Sequence, residues 1–406
     1  MSDLSPAAEL YIWGYPLVAL HRTRLLFCSR SPSGQLNHVD DLATPTDRGV
    51  VAPNNDTLYS SGWYDLRHGD LNIAVPPMDH AERYWNVMIL DAYTHVAYVC
   101  RRHHGVTGTN VRVTFNPDTP PANDASKIVT IATPTAWVII RVLVESPEEI
   151  AEARSLQHGI TITAPPSQPI ALTTKAGKPT TIAQSGAEYF SELKQYVDLD
   201  QPGHWHPQLS KAAQSILESP EQFTAEYLFE GVKYGEKLIS SLSTQGNVIR
   251  NGWSTSKNAT GFEDDIFKRA AGAKFGLGGH QAVENRSYIA VSDARGGKLN
   301  GSQPLTLRMT TTALPPCNAF WSLTAYAMDL YLVENEIQRW SIGDRTSGLS
   351  YAEDGSLTIT LSHQRPDDIS NWLPVPAGRY MLGMRVYEGH DEVVACKWFP
   401  AALVAN

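Results

Sequence analysis

The feature that most constrains the fold is a pattern that occurs near both ends of the chain. Trp85 follows a tyrosine and begins an apolar stretch, and further along comes an apolar run that contains Arg141. Trp321 follows a phenylalanine and begins a similar stretch, and a similar run containing Arg385 comes after it. Each half therefore has one strand that opens with an aromatic pair and a later strand with an internal Arg. This recurrence predicts a duplicated β-domain. The alternative is that two short matches coincide by chance.

With 406 residues, the chain is long enough for two or three domains, each with its own core. Short, often alternating apolar runs predict β-sandwiches in both halves, and amphipathic runs predict helices between them. The expected fold class is α+β and rich in β: two antiparallel, jelly-roll-like β-sandwich domains flanking a helical segment. The expected boundaries are 1–49 for an N-terminal helix and linker, 50–170 for the first sandwich, 185–285 for the helical segment and 286–406 for the second sandwich.

Composition excludes two classes of partner. The 33 Lys and Arg against 42 Asp and Glu give a net charge of −9. The sequence also has no run of basic residues of the kind that binds a phosphate backbone, so we expect no nucleic-acid partner. No apolar run is long enough to span a bilayer, so we expect no membrane insertion. The 10 Trp and 17 Tyr suit a small-molecule pocket, although large β-cores use the same residues.

The cysteines, histidines and glycines lack the spacing that is typical of a metal or cofactor site. The four cysteines form no CxxC pair, and His204 and His206 lie among Pro and Gly in a predicted loop. The stretch 276–279 lacks the lysine that a phosphate cradle requires. We therefore expect no metal and no cofactor. Because no cationic segment opens the chain, we expect reduced thiols and a cytoplasmic location; the oligomeric state stays open, a homo-oligomer included.

The densest polar cluster beside apolar strands lies at residues 54–61. A catalytic interpretation makes Asp56 a general base and Tyr59 an acid, while the amides of Asn54 and Asn55 hold a carbonyl or hydroxyl group of a substrate. The alternative is a satisfied polar turn, because Asn and Asp side chains readily bond their own backbone.

A second group of candidates follows the first tryptophan strand. Asp91, Tyr93 and His95 are spaced by two residues, so on a strand they would point to one side and line the same pocket. Partial burial there would shift the pKa values of the carboxyl and imidazole groups, as in acid–base catalysts; the alternative is a solvated outer face. We predict that Asp56, Tyr59, Asp91 and Tyr93 converge on one concavity.

Two further residues complete the candidate site. Trp63 is expected to bind substrate beside the polar cluster at 54–61. Glu284 either reaches a ligand at the junction of the helices and the second sandwich or pairs with Arg269. The catalytic candidates are therefore Asp56, Tyr59 and Asp91, and the substrate-binding candidates are Asn54, Asn55, Trp63, Tyr93, His95 and Glu284.

Long stretches of the sequence resemble two known families. The segment 53–59, followed by Trp-Tyr-Asp at 63–65 and by 83–94, resembles the bacterial domain-of-unknown-function family numbered 1254. The segments 319–324, 341–346, 354–358 and 371–378 resemble its usual partner, the family numbered 1214. The resemblance implies two β-rich domains that flank a helical segment, and it implies no chemistry. Many members of these families carry a secretion signal, and we expect none here.

The sequence favours a cofactor-independent enzyme that performs acid–base chemistry on a small, partly apolar molecule. Lyase, isomerase, cyclase and hydrolase reactions all fit the predicted residues. The alternative is a non-catalytic binding protein for a sugar or aromatic metabolite, in which the same side chains only recognise the ligand. A scaffold subunit is a third interpretation.

Overall fold

The computed structural model describes residues 4–80, 83–117, 127–165, 182, 186–242, 246–257 and 265–405. These residues form two β-sandwich domains and a group of helices between and beside them, an α+β fold rich in β, as the sequence predicts. None of the helices in these ranges is both long and apolar enough to cross a membrane.

The first domain consists of two packed sheets. Its strands are β1 (Asn37–Val39), β2 (Thr57–Asp65), β3 (Leu71–Val75), β4 (Trp85–Asp91), β5 (Val96–Cys100), β6 (Thr109–Phe115), β7 (Ile128–Ile131), β8 (Thr135–Leu143) and β9 (Thr161–Thr163). One sheet has the order β1-β2-β8-β4-β5 and the other the order β7-β6-β3-β9. Apolar side chains between the sheets form one core, because alternate residues of each strand point inward.

The second domain has the same arrangement. Its strands are β10 (Asn247–Arg250), β11 (Trp253–Ser256), β12 (Asn285–Ala290), β13 (Leu305–Met309), β14 (Trp321–Ala327), β15 (Ser341–Gly343), β16 (Leu357–Ser362), β17 (Trp372–Pro374), β18 (Tyr380–Tyr387) and β19 (Leu403–Ala405). The two sheets have the orders β10-β11-β12-β18-β14-β15 and β17-β16-β13-β19.

The strand pairing of the first domain recurs in the second. In each domain one pair is parallel, β6 with β7 and β16 with β17, among antiparallel neighbours. Trp85 lies opposite Val142 at the start of β4, and Trp321 lies opposite Val386 at the start of β14. Both indoles are buried. The two tryptophans therefore open strands at the same place in the same topology.

The helices lie between and beside the two sandwiches. They are α1 (Pro6–Cys28), α2 (Arg101–His104), α3 (Ile150–Gly159), α4 (Glu188–Leu199), α5 (Lys211–Glu218), α6 (Ala225–Ser241), α7 (Ile266–Gly276) and α8 (Asp391–Val394). The Ser5 hydroxyl caps α1 by accepting the Ala8 N–H at 3.3 Å, with a proline at the first helical position. Helix α1 is buried along most of its length because it packs against α4 to α7.

Two expected boundaries differ from the structure. The first sheet begins at Asn37, because the short strand β1 pairs with β2, so 1–49 is more than a helix and linker. The hairpin β10–β11 lies within the expected helical segment but extends the second domain's sheet through the pairing of Trp253 with Ala290. The expected boundaries at 170 and 185 lie outside the described residues.

Candidate functional site

A row of polar side chains crosses the helix-facing side of the first sheet. Tyr59 on β2 lies opposite Arg141 on β8, and Arg141 lies opposite Asn86 on β4. Partners opposite each other in a sheet share a face, and the next residues along this face, such as Ile139 and Met88, belong to the apolar core beneath the helices. The polar row therefore interrupts an otherwise apolar surface.

Arg141 is the charged member of this row and it is 5% exposed. Its Nη2 donates to the Gly278 carbonyl oxygen at 2.9 Å, and its guanidinium carbon lies 5.0 Å from the centre of the Tyr59 ring. Its Nε and Nη1 are hidden from solvent and form no hydrogen bond of ordinary geometry among the described residues, although the Tyr59 side chain lies close enough to the guanidinium to raise its pKa. Buried charged groups are normally paired, so this guanidinium has unused capacity to bind an acceptor.

A glycine-rich segment that follows α7 covers the row. Gly278 has a φ of +77°, and a Cβ there would lie 3.0 Å from the Trp137 ring and 3.1 Å from Ile139. Both the backbone conformation and the close approach therefore require glycine. Beyond it, the backbone N–H of Gln281 donates to the Tyr98 hydroxyl at 3.0 Å. The segment is thus fixed against the sheet and places residue 280 between the domains.

His280 is the titratable group of this segment. Its ring lies 6.0 Å from the Tyr98 ring and 6.1 Å from the Tyr387 ring. Both ring nitrogens are hidden from solvent without a partner in the described part of the chain, as are both polar atoms of the Asn86 amide. Burial, with Arg141 nearby, holds the pKa of His280 well below its usual value. The imidazole is therefore neutral near pH 7.

Glu284 lies at the same junction and is fully buried. The Tyr84 hydroxyl donates to Oε1 at 3.1 Å, and Arg102 Nη2 donates to Oε2 at 3.1 Å. Burial raises the pKa of Glu284, and the Arg102 charge opposes the rise. The predicted pairing of Glu284 with Arg269 is wrong: Arg269 lies elsewhere and donates to the Tyr93 carbonyl oxygen at 2.5 Å.

The second domain has an equivalent row, but its members are paired. Arg385 lies opposite Ser322 as Arg141 lies opposite Asn86. Arg385 Nη1 donates to the Thr324 hydroxyl at 3.2 Å and Nη2 to the Ala52 carbonyl oxygen at 2.9 Å. This row holds the first domain's loop, whereas the matching row of the first domain has unpaired atoms.

The predicted general base, Asp56, belongs to that interdomain loop. The Ser322 hydroxyl donates to Oδ2 at 2.7 Å, and Arg345 Nη2 donates to Oδ1 at 3.3 Å. Asn54 bridges the Asp56 N–H and the Tyr387 hydroxyl, both at 2.5 Å. This geometry fits the alternative of a satisfied polar turn, because both carboxylate oxygens have partners.

Asn55 is part of the same loop. Its Nδ2 donates to the Ala43 carbonyl oxygen at 2.6 Å, and its Oδ1 accepts from the Ser341 hydroxyl at 3.3 Å. Like its neighbours it joins segments of the protein, and its amide is engaged on both sides. The prediction that Asn55 binds substrate has no support from this geometry.

Asp91 lies at the opposite end of the sheet, so the predicted convergence is wrong. Asp56 precedes β2, whose first residue pairs with Leu143, whereas Asp91 pairs with Ala136. At about 3.3 Å per residue these positions on β8 are roughly 23 Å apart. Asp56 and Asp91 therefore belong to different environments.

Asp91, Tyr93 and His95 form a turn, contrary to the predicted strand face. Asp91 Oδ1 accepts the backbone N–H groups of Tyr93 and His95, each at 2.9 Å, which ends β4 and reverses the chain. The His95 Nδ1 lies 2.9 Å from Asp91 Oδ2, and its Nε2 is hydrogen-bonded to Arg269. Because a guanidinium only donates, Nε2 accepts and Nδ1–H donates to Asp91. Both ring nitrogens are thus engaged.

Trp63 also lies at this distant end of the sheet. Its ring stacks on Trp137 at a centroid distance of 4.9 Å and is fully buried. The indole therefore belongs to the core beneath the helices. Of the predicted site residues, Tyr59 and Glu284 lie at the junction with Arg141 and His280, and Asn54 reaches it through the Tyr387 hydroxyl.

His280 and Asn86 are absent from the site residues that the sequence predicts. Arg141 enters the sequence prediction only as part of the pattern that occurs in both halves of the chain. An arginine within the apolar run 137–144 is a usable signal, because a buried Arg requires a partner. His280 carries no comparable signal, since only the folded chain brings it to the strand that contains Arg141. Within the described ranges no group of three or more His, Cys, Asp and Glu is arranged to hold a metal ion.

The fold and junction define a class of protein with two β-sandwich domains of similar strand order, the second with one additional strand, joined by helices and by a polar interdomain contact. Residues 33–164 match a family model described as a protein of unknown function (DUF1254), and residues 284–391 match one described as a protein of unknown function (DUF1214). The chain belongs to the two-domain family that combines them.

The fold is supported by a solved structure. The crystal structure of the VPA0106 protein from Vibrio parahaemolyticus is similar over 99% of both chains, with 21% identity and a TM-score of 0.70. A putative uncharacterized protein from Burkholderia cenocepacia aligns over 98% of this chain and 86% of its own, with 12% identity and a TM-score of 0.49. No curated protein matches the sequence.

Proposed function

We propose that this chain binds a small organic carboxylate between its two β-domains, with Arg141 pairing with the charge. The observation that carries the proposal is the buried guanidinium whose Nε and Nη1 meet no acceptor among the described residues. A buried donor without a partner costs about 1–3 kcal/mol, and a charged donor costs more. A carboxylate would supply both the acceptor and the opposite charge.

The surroundings of Arg141 support a ligand with a polar head and a flat apolar body. Asn86 and His280 contribute amide and imidazole atoms that have no partner in the described ranges. The rings of Tyr59 and Tyr387 lie beside Arg141 and His280, respectively. Tyr59 and His280 are half-buried, so they mark the side from which solvent reaches the junction.

The test is a calorimetric titration of the full-length protein with benzoate and with benzamide, which has the same shape without the charge. We expect benzoate to bind at least about tenfold more tightly, since charged hydrogen bonds contribute about 1.5–3 kcal/mol. Arg141→Met should abolish that preference. Arg385→Met is the matched control, because Arg385 has the same position in the second domain but has protein partners.

Two outcomes would contradict the proposal. One is that neither benzoate nor succinate binds in the millimolar range, which corresponds to about 4 kcal/mol of binding free energy. The other is that benzoate binds equally well to Arg141→Met. Thermal unfolding of each variant without ligand shows whether the variant is folded under the conditions of the titration.

The second candidate is an acid–base enzyme at the same junction, with His280 in place of the predicted Asp56. The specific support is a neutral imidazole whose two nitrogens have no partner in the described chain. Such a ring can take a proton from a bound molecule and return it. Glu284, whose pKa burial raises, is a possible acid on the same side.

Proton exchange separates the enzyme from the binding protein. Phenylpyruvate is incubated with the protein in deuterium oxide, and deuterium at the carbon next to the carbonyl group is followed by NMR. An enzyme should accelerate exchange, and His280→Gln should lower the rate by roughly 10²-fold while benzoate affinity stays within about tenfold. Binding without accelerated exchange supports the binding protein.

We also infer that the two domains are copies of one unit. The support is the recurrence of the strand order, of one parallel pair and of the tryptophan register. Superposing 57–163 on 285–405 should bring Trp85 onto Trp321, and a superposition that separates them would contradict a duplication. A cytoplasmic location stays a proposal, supported by four cysteines that form no disulfide.

A further inference from the structure

Two polar groups beside Arg141 present hydrogen-bond acceptors as well as donors. Asn86 lies opposite Arg141 in the sheet, and neither its Nδ2 nor its Oδ1 has a partner among the described residues. The neutral ring of His280 has one nitrogen that carries a hydrogen and one that accepts, and both lack a partner in the same ranges. The junction therefore contains two buried acceptor atoms, one from each side chain, that no described residue satisfies.

The strand register places these acceptors within reach of one small molecule. Residues directly opposite each other in an antiparallel pair have Cβ atoms about 4.5–5.5 Å apart, so Asn86 and Arg141 start from neighbouring positions on one face. Tyr98 lies opposite Met88, two residues along β4 from Asn86, and therefore shares this face. The His280 ring lies 6.0 Å from the Tyr98 ring, and the Arg141 charge adds to burial in lowering the pKa of His280. His280 thus covers the same part of the sheet.

A carboxylate by itself leaves both acceptors unsatisfied. An ionised carboxylate only accepts hydrogen bonds, so it can bond the Arg141 nitrogens, the Asn86 Nδ2 and the N–H of His280. It offers no hydrogen to Asn86 Oδ1 or to the accepting nitrogen of His280. Because a buried polar atom without a partner is costly, the preferred ligand carries a hydrogen-bond donor next to its carboxylate.

The charges at the junction favour a neutral donor. An ammonium group that bonded these acceptors would lie next to the Arg141 guanidinium, and like charges repel. The Glu284 carboxylate at the same junction is already paired with Arg102 at 3.1 Å and accepts the Tyr84 hydroxyl at 3.1 Å, so it does not balance a further cation. A hydroxyl group donates a hydrogen without adding charge.

We propose that the ligand at Arg141 is a 2-hydroxy acid and that Asn86 and His280 select its hydroxyl group, an inference that rests on the proposed carboxylate site. The carboxylate pairs with the guanidinium. The hydroxyl group on the neighbouring carbon donates to Asn86 Oδ1 or to the accepting nitrogen of His280, and its oxygen accepts from the other side chain. Asn86 and His280 therefore decide between carboxylates, whereas Arg141 binds the charge that all of them share.

The test is a calorimetric titration of the full-length protein with each enantiomer of mandelate and with phenylacetate, which has the same skeleton without the hydroxyl group. We expect one mandelate enantiomer to bind about fivefold more tightly than phenylacetate, the size of one hydrogen bond. Phenylglycine, with an ammonium group in place of the hydroxyl group, should bind more weakly than that enantiomer.

Variants of the two selecting residues assign the preference. Asn86→Leu and His280→Phe keep the side-chain size and remove the polar atoms, so each should reduce the preference for mandelate over phenylacetate to less than about twofold. Met88→Leu is the matched control, because Met88 lies on the same face of the same strand and its replacement conserves volume without removing a polar group. It should keep the preference of the unmodified protein.

The results separate this inference from the carboxylate site on which it rests. If phenylacetate binds, Arg141→Met abolishes its binding, and neither mandelate enantiomer binds more tightly than phenylacetate, the carboxylate site stands and the 2-hydroxy acid is wrong. The inference is also overturned if the preference survives in both Asn86→Leu and His280→Phe, or if phenylglycine binds most tightly. If none of the three acids binds in the millimolar range, the inference and the carboxylate site are both contradicted.

Discussion

Arg141 and Arg385 have the same register in the two domains, yet only Arg385 has both ends of its guanidinium bonded to protein. Arg385 bonds the Ala52 carbonyl oxygen and the Thr324 hydroxyl, while Arg141 bonds the Gly278 carbonyl oxygen and has Nε and Nη1 without an acceptor in the described chain. The arginine at this position of the second domain therefore holds the two domains together. The arginine at the same position of the first domain has guanidinium nitrogens without an acceptor in the described chain.

This difference predicts opposite effects on stability. Arg385→Met should lower the free energy of unfolding by about 2–4 kcal/mol, because it leaves buried partners unpaired. Arg141→Met should leave the free energy of unfolding within about 1 kcal/mol or raise it, because it removes a buried charge that is incompletely paired. Urea unfolding of the two variants without ligand provides the measurement, and an equal loss in both would mean that Arg141 is satisfied in the protein.

Asp56→Asn should act on the docking of the two domains. The substitution keeps an oxygen for the Ser322 hydroxyl but removes the charge that faces Arg345, so we expect a loss of about 1–3 kcal/mol in urea unfolding. Benzoate affinity should change by less than about threefold if docking survives, because Asp56 is not among the groups that meet the ligand. A tenfold loss of affinity without a loss of stability would restore Asp56 to the site.

His206 predicts a loss of stability in mild acid. Burial between aromatic rings lowers the pKa of His206 to about 2, whereas an unfolded histidine has a pKa of about 6.5. The unfolded chain therefore binds a proton that the folded chain does not, and stability falls as the pH drops below about 6.5. Each pH unit below that value should cost up to about 1.4 kcal/mol from this group.

The measurement is the pH dependence of urea unfolding between pH 4 and 7, in which His206→Phe should reduce the slope by up to about one proton while buried His280 continues to contribute. His204→Phe is the matched control, since His204 is exposed two residues away. If both variants keep the slope of the unmodified protein, His206 does not cause the acid sensitivity.

The two strand-opening tryptophans should contribute similarly to stability. Trp85 is 1% and Trp321 is 3% exposed, and each packs inside its own sandwich. Replacing either by alanine should cost about 3–5 kcal/mol, as a large-to-small change in a core does. Differential scanning calorimetry of the two variants tests this. A cost below about 1 kcal/mol for one of them would show that the matched positions are not energetically equivalent.

The sequence by itself determined the parts of the fold that depend on local pattern. The alternation of apolar residues predicts β-sandwiches, and the aromatic pairs Tyr84-Trp85 and Phe320-Trp321 lie where β4 and β14 begin. The family and the order of the domains follow from the same local stretches. These features are readable because strand period and turn chemistry are properties of neighbouring residues.

Only the tertiary structure decided which polar groups meet. Asp56 and Asp91 looked alike in sequence, but β2 and β4 each run antiparallel to β8 and carry the two carboxylates to opposite ends of one sheet. The same pairing brings Arg141 next to Tyr59 and Asn86, and the chain after α7 returns to place His280 beside them. Within a strand, spacing along the chain fixes the face on which a side chain lies, whereas strand ends, strand register and long-range packing fix its partner, because hydrogen bonds and charges act across space.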